Sequence, residues 1–192
     1  MDKKEDIQRI NEDIAARFSK IEDDVSSAET IAGLFEVLFN GIEKEFAVPF
    51  VWLTLIDHVN AAPLIKVVNE SDSLKNRLCV VSQELFEKII PEGLKPVLAN
   101  KDLPPFYKLL PPSRKYFIKS LAVVPFALDG QTIGSWNNGD AVADRYTADM
   151  DTVLLASLAR RISLQLTRLA AAGSNAASKN NQNDEQPGGL HG

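Results

Sequence analysis

One stretch, SLAVVPFALDGQTIGSWN at residues 120–137, constrains the fold more than any other. Two runs rich in branched and aromatic residues are separated only by Asp129 and Gly130, a pair that accepts the positive φ angles of a tight hairpin turn. Any fold of this chain must therefore hold two adjacent antiparallel strands. A two-residue loop sets Leu128 opposite Gln131, Phe126 opposite Ile133, Val124 opposite Ser135 and Ala122 opposite Asn137. Strict alternation then puts Ser135 and Asn137 on the face of Val124 and Phe126, and Gly134 and Trp136 on the face of Leu121, Val123 and Pro125.

Helical spacing brackets this sheet material. Residues 1–26 carry Ile7, Ile10, Ile14, Phe18, Ile21 and Val25 on one stripe, which can pack on its own domain or on the same helix of a second chain. Ser26 or Ser27 is placed to cap a second helix, entered by Glu29 and Thr30 and striped by Ile31, Leu34, Phe35, Leu38, Phe39, Ile42 and Phe46. Beyond Pro49, residues 50–58 read as a central strand. Residues 60–63 read as a turn, 65–68 and 78–81 as short strands, and 83–90 as a helix capped by Ser82. Six prolines between Pro91 and Pro112 forbid a long helix and mark an irregular excursion, with a strand near 96–98 and a helical turn near 106–110. Thr147 is placed to cap a last helix striped by Leu155, Leu158, Ile162, Leu166 and Leu169. After Gly173 apolar residues nearly vanish, so 173–192 reads as a disordered tail behind a domain at 27–172.

Composition removes several classes of function. With 21 Lys and Arg against 26 Asp and Glu, the net charge of -5 offers no field for a nucleic-acid backbone. A single cysteine, Cys79, cannot form an internal disulfide, and the two histidines, His58 and His191, are far apart, so neither a redox pair nor a histidine metal site is expected. The charged opening MDKKEDIQRI lacks the apolar core of a secretory signal, and no run reaches the length of a membrane span. A cytoplasmic address is the expectation. No nucleophile elbow, phosphate-cradling glycine loop or helical histidine pair is present, and the aspartates 140, 144, 149 and 151 read as turn and helix-start residues.

The element order, together with SLAVVPFALDGQTIGSW followed by YTADMDTVLLASLARRISLQL, resembles a GAF domain, and looks most like a bacterial GAF-like family catalogued as a domain of unknown function. The resemblance spans residues 28–170, with its distinctive letters after residue 119. It implies an α+β fold: a central antiparallel sheet of five to six strands, the N- and C-terminal helices on one face, and a loop-covered ligand pocket on the other. It also implies a regulatory module, often a homodimer through the terminal helices. The acidic pair of cyclic-nucleotide-binding members is replaced by Leu110 and Pro111 after Asn100, Lys101 and Phe106, and Cys79 within LCVV is most simply a core residue rather than a chromophore anchor. The several cysteines of the methionine sulfoxide-reducing branch are absent, so no catalytic residue, cofactor or metal is assigned.

Two features remain as candidate ligand contacts. Lys95, Lys101, Lys108, Arg114, Lys115 and Lys119 face the lone acid Asp102, an electropositive rim in which Arg114 and Tyr116 are suited to orient a carboxylate or phosphate. Trp52 and Thr54 share a face of the central strand, as do Ser135 and Asn137 in the hairpin; whether these are one face of the sheet is left open. The leading expectation is a non-catalytic sensory or regulatory protein for a small, anionic ligand, acting through dimerisation or a protein partner. The alternative is an interaction module whose pocket is filled by Trp52, Trp136 and Phe126, and the remote one an enzyme of unrecognised type.

Overall fold

The computed structural model describes residues 3–91, 93–111 and 117–183. Its elements are α1 (Lys3–Ser26), α2 (Ile31–Phe46), β1 (Phe50–Ile56), α3 (Ala62–Glu70), β2 (Leu78–Val81), α4 (Gln83–Ile89), β3 (Val97–Ala99), β4 (Ser120–Leu128), β5 (Gln131–Asp140) and α5 (Val153–Asn183). The five strands form an open sheet in the order β2-β1-β5-β4-β3. It is mixed rather than antiparallel, because β2 runs parallel to β1 while the other neighbours are antiparallel. The physical reason lies between β1 and β2. Residues 65–68, expected as a strand, belong to α3, which buries Leu64 and Val68 one helical turn apart, and this crossover returns the chain in its original direction.

The β4–β5 turn is the two-residue Asp129–Gly130 loop, with φ of 50° and 79°, and Leu128 pairs Gln131 as expected. Two residues later the register departs from simple alternation. Ala127 pairs Thr132 but Phe126 pairs Gly134, so Ile133 is an extra residue in a β-bulge. Ile133 packs with Phe126, and every later residue of β5 changes face: Trp136 pairs Val124 and Leu53, while Ser135 and Asn137 pair Pro125 and Val123. Gly134 is required here, since a Cβ would lie 2.2 Å from the Thr54 carbonyl oxygen of the neighbouring strand.

On one face of the sheet α1, α2 and α5 bury Ile21, Phe35, Leu38, Ile42, Leu158 and Ile162 against Leu53, Leu55, Val124, Phe126 and Trp136. The lower half of the α1 stripe is thus spent within the subunit, and α1 packs on both α2 and α5. The buried Gln165 amide donates to the Ala28 carbonyl at 2.6 Å, tying α5 to the α1–α2 turn. Ser26 and Ser27 do not cap α2; their hydroxyls donate back to Glu22 and Asp23 carbonyls, and Thr30 is the cap, its Oγ1 accepting the Gly33 amide at 3.0 Å. Nor does Thr147 cap α5, which begins at Val153 with the Asp151 carboxylate accepting the Val153 amide at 2.6 Å. The α5 helix extends to Asn183, through the first part of the segment expected to be a disordered tail; residues 184–192 lie outside the described ones.

The opposite face is covered by α4 and the proline-rich excursion. Ser82 caps α4 as expected, accepting the Leu85 amide at 3.3 Å, and Phe106–Leu109 forms one 3₁₀ turn. Phe86, Ile90, Leu103, Leu109, Leu110 and Ile118 pack on Trp52, Ile56, Leu121 and Val123. This is a second, separate apolar core.

Candidate functional site

The bulge at Ile133 brings the four strand residues singled out from sequence onto one face: Trp52 pairs Asn137 and Thr54 pairs Ser135. All four are buried. What they meet is the chain itself. The Leu109 carbonyl at the end of the 3₁₀ turn accepts from Trp52 Nε1 at 2.8 Å and from Thr54 Oγ1 at 2.7 Å. Asn137 fills the space between them. With its amide oxygen toward Trp52 and Thr54, 3.0 Å from Nε1 and 2.9 Å from Oγ1, it shares their single protons with the Leu109 carbonyl, and its nitrogen donates to Ser135 Oγ at 2.8 Å. The reverse orientation would set the amide nitrogen against the indole N–H, donor against donor, so the first is the physical one. None of the four titrates near neutrality. Their chemistry is to seat a backbone carbonyl on an apolar sheet, and buried side-chain polar atoms among the described residues are all satisfied.

Arg114 and Tyr116 lie outside the described residues. Lys101, Lys108 and Lys119 are exposed around a face packed with side chains. Trp136 and Phe126, expected to fill a vestigial pocket beside Trp52, lie on the helix side instead, Trp136 carried there by the bulge; the filling residues are those of α4 and the excursion. His58 is a strand-end residue whose Nδ1 accepts the Asn60 amide at 3.2 Å. Cys79 packs beside the second core, burial pushes its thiol above the ordinary value, and Sγ donates to the Lys108 carbonyl at 3.6 Å. Among the described residues no three His, Cys, Asp or Glu side chains gather in a metal-binding group, and no helix is long and apolar enough to cross a membrane.

A groove of about 590 Å³ opens on the helix side instead, between the middle of α1, the end of α2 and the start of α5. Ile14, Phe18, Phe46 and Leu154 contribute to its walls, and Asn138, Arg145 and Tyr146 supply polar groups. Asp140, at the end of β5, holds Arg145: Oδ2 accepts from Nη1 at 3.2 Å, while Arg145 Nη2 donates to the Phe46 carbonyl. The Arg145 guanidinium lies 5.8 Å from the Tyr146 ring centroid. Burial pushes the Tyr146 phenol above its ordinary range, and the Arg145 charge opposes that only in part. Sequence reading passed over Arg145 and Tyr146 because they sit in a polar turn; the one available signal was a large aromatic beside an arginine, in a segment that needs neither for turning.

No protein-family model matches the chain, and no curated protein matches it.

Proposed function

We propose that this chain is a non-catalytic, GAF-like regulatory module that acts by association with a second copy through the first half of α1. The observation that carries the reading is the division of one amphipathic stripe. Ile21 and Val25 are fully buried, whereas Ile7 and Ile10 stand 52% and 54% exposed on the same helix. A stripe that continues past its own core needs another surface to cover it, and a two-fold pair of identical surfaces is the commonest solution. The GAF-like part of the reading draws on the strand order, with the terminal helices on one face and an irregular excursion on the other; the parallel β2 is a departure. A small anionic ligand on the excursion side has less support, because Trp52, Thr54, Ser135 and Asn137 are already engaged with one another and with Leu109.

Light scattering at tens of micromolar tests the association. Wild type is expected to be a dimer, and the Ile7→Asp/Ile10→Asp double variant a monomer with an unchanged melting temperature, since these side chains bury little within the subunit. A monomeric wild type, or a double variant that still dimerises, rejects the reading.

A further inference from the structure

We propose that α5 closes the open half of the β4 edge to strand addition, with Ser163 and Thr167 accepting from the backbone donors that an incoming strand would need. The device bars copies of this chain from extending the sheet at this edge. It stands whether or not the first half of α1 associates.

The edge is open because β3 is short. Its three residues pair only Leu121 to Val123, whereas β4 continues to Leu128 and pairs β5 along its whole length. From Val124 to Leu128, one side of β4 therefore has no neighbouring strand among the described residues. Such an edge ordinarily presents a row of unpaired amides and carbonyls, a template for another chain. In a two-residue hairpin the closing pair, here Leu128 and Gln131, direct their backbone groups at each other. Even-numbered residues of β4 thus face β5 and odd-numbered ones face outward. Between Val123 and the turn, the outward positions are Pro125, Ala127 and Asp129.

None of the three has a donor left to give. Pro125 carries no amide hydrogen. The Ala127 amide donates to Ser163 Oγ at 2.9 Å, and the Asp129 amide donates to Thr167 Oγ1 at 3.0 Å. The two repeats match: residues four apart on a helix stand roughly 6 Å apart along its axis, and residues two apart on a strand roughly 6.6 Å. Successive turns of α5 therefore meet successive outward amides of β4. Ser163 is itself held in place, because its hydroxyl donates to the Ala159 carbonyl at 2.8 Å and keeps its oxygen free to accept from Ala127. What β4 still directs outward is acceptors alone, the carbonyls of Pro125 and Ala127, and both residues are buried where α5 packs along the strand. An added strand must both donate and accept at every second residue, so this edge offers it half a ladder at most.

The test compares the full chain with Ser163→Ala/Thr167→Val, which removes both acceptors, and with Ser163→Thr/Thr167→Ser, which keeps them. Amide exchange read residue by residue should quicken roughly two- to tenfold at Ala127 and Asp129 in the first variant, the worth of one hydrogen bond each, and stay near wild type in the second. Wild type and the hydroxyl-keeping variant are expected to stay soluble at a concentration where Ser163→Ala/Thr167→Val sediments as thioflavin-positive material. The single variants assign each acceptor: Ser163→Ala should quicken Ala127 alone, and Thr167→Val should quicken Asp129 alone. They also carry the sedimentation test if the double variant does not fold, since each leaves one donor open. Sedimentation must persist when Ile7→Asp/Ile10→Asp is added, because it proceeds through the sheet; its loss would assign the assembly to α1 and overturn the proposal. Unchanged exchange at both amides, quickened exchange without sedimentation, or equal sedimentation of the hydroxyl-keeping variant overturns it as well.

Discussion

The two faces of the sheet are closed by different means. On the helix side, long regular elements lay down a continuous apolar layer from Ile21 through Phe35 and Leu38 to Leu158 and Ile162. On the excursion side, proline removes backbone donors and forbids a long helix, so cover comes from α4, one 3₁₀ turn and irregular chain. There, apolar contact is supplemented by a polar pin, in which Trp52 and Thr54 both donate to the Leu109 carbonyl. A helix satisfies its own backbone and can be held by shape alone; an irregular segment brings unpaired carbonyls to an apolar surface, and that surface must supply donors. The polar residues on this sheet face thus have a structural occupation before any ligand is considered.

If this contrast is right, truncation on the helix side has the largest effect. Phe35→Ala removes a fully buried ring that packs 5.5 Å from Phe126, and is expected to cost about 3–5 kcal/mol, a fall of roughly ten degrees in Tm. A loss below about 1 kcal/mol would mean that the helix layer is not the main source of stability. Thr54→Val, nearly isosteric, breaks one half of the pin and should cost about 1–2 kcal/mol. Its signature is local: amide exchange should quicken across residues 103–111 and stay unchanged in α5. Equal acceleration in both places would erase the distinction between the faces. Smallest in energy is the behaviour of Cys79, whose thiol loses little stability on modification but reports the excursion's hold. Burial raises its pKa above the ordinary 9.0, so alkylation by iodoacetamide at pH 8 should be slower than for a free thiol and rise to its plateau only above that value. The neutral form is the one favoured by folding, so this contribution is complete below pH 9.0 and lost as pH climbs through the raised pKa. In Thr54→Val the alkylation should speed up, since Cys79 contacts the Lys108 carbonyl next to Leu109. An unaltered rate would show that the pin does not govern access.

Much of the architecture was legible because its signals are local. Asp129–Gly130 dictates a hairpin by φ preference alone, and the stripes of α2 and α5 announce buried helices by spacing. Residues 65–68 were misread because a short run such as LIKVV satisfies both periods; the longer frame of α3, with Pro63 in its first turn, decides for helix. The α1 stripe was read correctly as apolar, but one sequence cannot say where a helix stops touching its own domain. That boundary, between Phe18 and the exposed Ile10, depends on how far α5 and α2 reach.

The sequence by itself determined which segments can be helix or strand and where the hairpin turns. Tertiary structure alone decided which side chains meet. One inserted residue, Ile133, reverses the facing of the rest of β5, sending Trp136 to the helix core and Ser135 with Asn137 to Trp52 and Thr54. A bulge leaves no reliable mark in composition or spacing. It is selected by the packing of Ile133 and Phe126 under the helices and by the absence of a Cβ at Gly134, where two backbones approach too closely for one.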